Sequence, residues 1–203
     1  MEMSGKGAIG LPEPDKETCL SRLLSARRSV RRFRDRPLDL RTVSQLLWVS
    51  YGYVTSRRRV VPSAGALYPM EVYLAVKTNG VEGLDPGVYL YEPESHGLRL
   101  VRSGDPAGDL YEACLRQMSV KEAPINIVVV GVPERIVAWY GDRGYQYMVL
   151  EAGHIGQNIY LAATEMSLGT VAIGAFDDDH VRRVLGLRES YVPLYIFPVG
   201  YPR

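Results

Sequence analysis

Four short segments of the chain hold residue types that can do chemistry. In Arg27-Arg28-Ser29-Val30-Arg31, guanidinium groups flank a hydroxyl, and forked N–H donors beside an O–H match the oxygens of a phosphate. A solvated cationic helix end accounts for the same residues, since cations favour that end of the helix dipole. In Pro62-Ser63-Ala64-Gly65-Ala66-Leu67-Tyr68-Pro69, small side chains between two prolines let a backbone lie close to a flat ligand and expose its amides. An ordinary tight loop is the plain alternative. Glu151, His154, Gln157 and Asn158 interrupt a long apolar stretch, and the spacing of Glu151, His154 and Asn158 puts those three on one helix face. Their partners are a cofactor, a facing subunit or backbone carbonyls, because buried polar groups need one. Thr170-Val171-Ala172-Ile173-Gly174-Ala175-Phe176-Asp177 ends a strand in small residues whose free amides suit a ring nitrogen or carbonyl, and a simple strand-to-helix turn explains it equally well.

The elements that must position these segments follow from periodicity. Leu20, Leu23 and Leu24 predict a helix over 16–26 that runs into the basic stretch as a cationic turn, and Asp39 caps a second helix from Leu40 to Tyr51, broken by Gly52. Alternation predicts a strand over 71–77 and a hairpin over 87–101, with its turn at Glu94-Ser95-His96-Gly97. A short amphipathic helix is expected over 106–119, and the nearly unbroken apolar run Ile125–Val132 reads as a central strand covered on both faces. Residues 144–168 form the longest helical candidate, apolar on almost every side and therefore expected to be buried all round, in a core or in a core plus a dimer interface, with Gly153 and Gly156 admitting another backbone. Gly169 ends it. A strand over 170–176, a helix capped by Asp177 to Leu187 and a last strand over 192–200 complete an α+β order.

Composition narrows the function classes. The 203 residues suit one domain, 1–203, behind a polar lead-in at 1–16. With 46% hydrophobic and 23% charged residues the chain is neither disordered nor fibrous. No apolar run approaches the roughly 18 residues of a transmembrane helix, and the lead-in lacks a secretory signal, so the expectation is a cytoplasmic protein away from the membrane. A net charge of +1 argues against nucleic acid, which would have to use the clusters 27–36 and 57–59. Cys19 and Cys114 lack CxxC spacing and His96, His154 and His180 lie far apart, so no metal site is expected. Neither GxGxxG nor a P-loop pattern occurs. Tyr outnumbers Phe by 14 to 3, a bias suited to polar ligands or a subunit interface.

Taken in order, the Arg-Arg-Ser-x-Arg segment, the Pro-Ser-x-Gly loop before a strand, the long buried helix and the Ile173-Gly174-Ala175-Phe176 turn resemble the FMN-dependent nitroreductase superfamily over about 20–202. Pro62–Pro69 and Leu150–Asn158 resemble its SagB-type branch, which includes the azoline oxidases of peptide maturation. The resemblance implies a central, mainly antiparallel sheet wrapped by helices in an intertwined homodimer, with FMN at the interface. It implies that Arg27, Arg28, Ser29 and Arg31 hold the FMN phosphate, that Pro62, Ser63, Ala64 and Gly65 reach the flavin from the partner subunit, and that Ile173, Gly174 and Ala175 line its ring. Gln157 is a further flavin contact, NADH or NADPH a transient donor, and a small molecule the acceptor. A flavin-binding module without turnover is the other implied reading. Two departures stand out: the chain ends at Arg203, leaving it alone to act as a C-terminal phosphate ligand, and the Lys-Tyr pair of the azoline oxidases is Trp139-Tyr140 here, with Tyr140 the remaining catalytic candidate.

Overall fold

Apolar at every position but Asn126, whose amide donates to Val120 O at 3.0 Å, Ile125–Gly131 is a strand that can be buried on both faces, and the sheet is built outward from it. The computed structural model describes residues 9–203, so part of the 1–16 lead-in, residues 1–8, lies outside the described residues. Its main sheet has six strands in the order β5-β4-β3-β6-β8-β7, antiparallel throughout. The strands are β3 (Met70–Val76), β4 (Gly87–Glu92), β5 (Gly97–Ser103), β6 (Ile125–Gly131), β7 (Gly169–Thr170) and β8 (Val192–Gly200), and β6 is buried along its length. A small hairpin, β1 (Tyr53–Thr55) with β2 (Arg58–Arg59), stands apart and was not expected.

Alternation along β3 divides the core. Val72, Leu74 and Val76 point to one side, where α2 (Leu40–Tyr51) and α6 (Arg143–Glu165) cover the sheet with Leu46, Leu47, Tyr51, Met148, Ile155 and Ile159. Tyr73 and Ala75 point to the other, under α3 (Ala107–Ala113), α4 (Met118–Glu122) and α7 (Asp178–Leu185), with Leu110, Val120 and Val181. Two further helices are α1 (Cys19–Ala26) and α5 (Glu134–Tyr140). Thr18 and Asp39 cap α1 and α2 by accepting from Ser21 and Thr42 amides.

Several expectations are corrected. The basic run does not continue α1 as a cationic helical turn. Residues 27–34 are extended because their backbone finds partners in the sheet: Val30 N donates to Thr170 O at 2.8 Å and Arg34 N to Tyr201 O at 2.9 Å. The strand expected over 170–176 stops at Thr170 and touches the sheet again only at Ile173, because the Ala172 amide donates to a side chain instead. The 106–119 helix breaks at Cys114, where Leu115 and Arg116 take positive φ. Within one chain the core covers only part of helix α6: Tyr145, Val149 and Leu150 leave an apolar stripe open, next to Trp139 of α5 at 75% exposure, and the dimer-interface half of the expectation concerns that side. Of its two glycines, Gly153 meets nothing within 4 Å, whereas a Cβ at Gly156 would stand 2.8 Å from Phe197 Cζ of β8.

That contact sets how closely α6 lies on the sheet. Gly156→Ala gains about 1 kcal/mol of helix propensity and loses about 1–3 kcal/mol to overpacking, so a net destabilisation is expected. Urea unfolding at unchanged m-value measures it.

Candidate functional site

Residue 29 and residue 172 meet at one phenol. Tyr160, on the sheet side of α6, accepts a hydrogen bond from the Ala172 amide at 2.8 Å and lies 3.1 Å from Ser29 Oγ. The amide only donates, and the Ser29–Tyr160 bond can run either way; when the phenol donates, the Ser29 hydroxyl proton is left for an acceptor outside this chain. The Arg27 guanidinium sits 5.1 Å from the centre of the same ring, and Phe197 packs edge-on to it at 6.2 Å. Just beyond, Ile173 exchanges two 2.9 Å backbone bonds with Ile196. The chain then leaves the sheet. Gly174 and Ala175 are exposed, and their amides have no partner among the described residues.

The second part of the site is the loop 62–68. Its 3-10 turn, Ala64–Ala66, holds Gly65 at φ 59°, Ala66 at 53° and Tyr68 at 48°, a conformation costing about 1–2 kcal/mol for each residue with a Cβ. Ser63 closes the loop over this strain: its Oγ accepts from Tyr68 N at 2.9 Å and its carbonyl from Ala66 N at 3.1 Å. Gly65 is required twice, by its φ and because a Cβ there would stand 2.8 Å from the Tyr140 hydroxyl. Tyr140 is itself braced edge-on by Tyr147 at 5.0 Å.

Behind the loop lies a buried carboxyl. Glu151 is 2% exposed, and its Oε1 accepts from Tyr51 Oη at 2.6 Å, while that phenol oxygen accepts from Met70 N at 3.1 Å. Oε2 has no partner within normal hydrogen-bond geometry. Burial pushes the Glu151 carboxyl above the usual range, against the Ser63 and Tyr51 hydroxyls and the Arg59 guanidinium, which pull it down. Burial and the Glu151 charge likewise push Tyr51 up.

The sequence candidates are therefore only partly gathered. Arg27, Ser29, Ile173, Gly174 and Ala175 come together through Tyr160. Pro62, Ser63, Ala64 and Gly65 come together with Tyr140 and Glu151. Arg28 instead lines a cavity of about 360 Å³ with Arg34 and Arg203, which puts the C-terminal arginine beside the basic run. Arg31 and Gln157 are exposed. Asn158 donates to Val49 O at 3.0 Å and His154 faces outward, so the one-face polar set splits between α2 and solvent.

Sequence reasoning missed Tyr160, Tyr51 and Arg59. The signal for Tyr160 was a phenol in an apolar helix, whose hydroxyl must find a partner. Arg59 lies among the rings of Tyr51, Tyr53 and Tyr68 at 4.4, 4.5 and 5.2 Å, pairs with Glu94 at 3.5 Å, and lines a cavity of about 690 Å³ with Arg135 and Glu71. No local spacing announces that cluster. Among the described residues no group of His, Cys, Asp and Glu is arranged to hold a metal, and no helix is long and apolar enough to cross a membrane.

Comparison with known proteins gives concordant matches. The sequence pattern of the nitroreductase family fits residues 24–201. A Methanocaldococcus jannaschii protein that carries the nitroreductase name is 42% identical over 193 residues, 95% of each chain. The microcin B17-processing protein McbC of Escherichia coli is 30% identical over 166 residues, 78% of this chain and 61% of McbC. Among solved structures, the Escherichia coli microcin synthetase McbBCD complex with truncated pro-MccB17 bound superimposes with a TM-score of 0.82 at 25% identity, over 100% of this chain and 78% of that one.

Proposed function

Because the chain belongs to the nitroreductase family of oxidoreductases, we propose that it binds FMN and passes electrons from NADH, NADPH or an organic donor to a small acceptor at the same site. The observation that carries this reading is the Tyr160 hydroxyl, which ties Ser29 to Ala172 and holds the Ser29 hydroxyl near the Arg27 guanidinium, where it can donate to a ligand. A hydroxyl and a guanidinium offered together fit a phosphate. The unpartnered amides of Gly174 and Ala175 fit the hydrogen-bonding edge of a flavin ring, and the buried, unpartnered Thr170 Oγ1 lies between the two groups in sequence. Arg28, Arg34 and Arg203 form a second cationic pocket on the same basic run, and Arg203 supplies the C-terminal guanidinium there. Bound FMN would supply the two-electron chemistry. The chain's own residues bind the phosphate, present amides to the ring and exclude water.

A second copy of the chain completes the site. Glu151 and Tyr160 are nine positions apart on α6, which at about 100° per residue places them on opposite faces. One chain thus presents its phosphate residues and its 62–65 loop in different directions, and a homodimer lets the loop of one copy meet the phosphate residues of the other. The open stripe of Tyr145, Val149 and Leu150 is the surface such a copy would cover. The work of this protein is placed in the cytoplasm.

McbC, which is named for processing microcin B17, supports an azoline dehydrogenase as the second reading. Tyr140 is in place for it, with its hydroxyl against Gly65. Trp139 is not: its indole is 75% exposed and carries no titratable group.

Two outcomes test these readings. Tyr160→Phe keeps the ring on Phe197 and removes the hydroxyl, and is expected to weaken FMN binding about tenfold, the worth of one hydrogen bond. An unchanged dissociation constant in a flavin fluorescence titration contradicts the assignment. A thiazoline peptide is expected to be oxidised about 10² to 10⁴ times more slowly than quinone or nitroaromatic acceptors are reduced, the usual worth of a missing acid–base group. Comparable rates contradict the weight placed on Trp139.

A further inference from the structure

We propose that Glu151, in its protonated form, aims the Ser63 hydroxyl proton at the flavin, and that ionisation of Glu151 turns that proton back into the protein. The inference rests on the reading of 62–65 as a flavin-contacting segment. Donor direction is fixed at one end by the Met70 amide, which donates to Tyr51 Oη at 3.1 Å. The single phenol proton therefore goes to Glu151 Oε1, at 2.6 Å. Oε2 remains, buried and without a partner of normal geometry, a costly state for an ionised oxygen.

Ser63 faces Glu151 across a cavity of about 280 Å³, which His154 and Tyr147 of α6 also line. Its oxygen already accepts from Tyr68 N at 2.9 Å and has a second lone pair for a proton on Oε2. While Glu151 holds that proton, the serine's own O–H points elsewhere, toward a ligand. When Glu151 is ionised, Oε2 takes the serine's proton and the loop offers no hydroxyl donor. The other titratable or charged groups facing the carboxyl are Tyr51 of α2 and Arg59 of β2; both hydroxyls and the guanidinium favour ionisation, and burial opposes it more strongly. The form that binds FMN better is the protonated one, so FMN affinity through this group falls as pH rises past the raised Glu151 value.

Glu151→Gln tests the idea, because an amide accepts from Tyr51 and donates to Ser63 at every pH. The FMN phosphate has its own second ionisation near about pH 6, so the quantity to follow is the ratio of wild-type to Glu151→Gln dissociation constants, which cancels it. The ratio is expected to be near one at acid pH and to rise about tenfold by alkaline pH, the loss of one hydrogen bond. In a Ser63→Ala background the rise is expected to vanish. Infrared spectra of the cofactor-free protein provide the second readout: a protonated-carboxyl band that persists above the pH at which ordinary carboxyls ionise and is lost in Glu151→Gln, with thermal melts confirming that each variant is folded. A ratio flat with pH, a rise that survives Ser63→Ala, or no such band overturns the proposal. A band present in a protein that takes up no FMN at any pH instead removes the flavin reading, and with it the role given to Ser63.

Discussion

The hydroxyl of Tyr160 can hold Ser29 and Ala172 together only because α6 lies at one fixed depth on β8. Gly156 sets that depth against Phe197, and Phe197 in turn packs edge-on to the Tyr160 ring at 6.2 Å. From this one seat follows the break in the strand after Thr170, since the Ala172 amide goes to the phenol, while residues 27–34 run extended beside it, with backbone bonds to Thr170 and Tyr201. Hydrogen bonds in such a chain polarise one another, so the amide, the phenol and the serine act as a unit rather than as three separate contacts. A central helix thereby converts core packing into the placement of polar groups at the surface.

The same helix does this a second time on its opposite face. Glu151, Tyr51 and the Met70 amide form another directed chain, ending on the loop that Ser63 closes and Tyr140 touches. The two chains have the same construction: a backbone N–H that can only donate, a phenol that passes the direction on, and a serine at the far end. They differ in one link, the carboxyl, which can gain or lose a proton. Ser29 therefore has no titrating neighbour in its chain, while the direction of Ser63 depends on Glu151.

Much of the architecture was legible from local pattern. The apolar run 125–132, the alternation over 71–77 and the 144–168 helix all correspond to elements at nearly the expected bounds, because their burial is written in their periodicity. What failed depended on partners distant in sequence. Residues 27–34 looked helical until the sheet offered them bonds, and residues 171–176 looked like a strand until Tyr160 took the Ala172 amide. The exposed stripe of α6 was legible as a face in need of cover, by the core or by a second copy, because an apolar face announces that it must be covered without saying by what. The site was legible as segments, through Arg27, Ser29, Ser63 and Gly174, but not as an assembly. The residues that join those segments, Tyr160 and Tyr51, belong to no motif.

The central claim is that two chains build two flavin sites, each from the phosphate residues of one copy and the 62–65 loop of the other. Native mass spectrometry of the purified protein tests it most directly, since it counts chains and cofactors in one spectrum. The account predicts a dimer carrying two FMN molecules, with flavin and dimer lost together as the activation energy is raised. A flavin-loaded monomer, or a dimer that takes up no FMN when the cofactor is supplied, would contradict it.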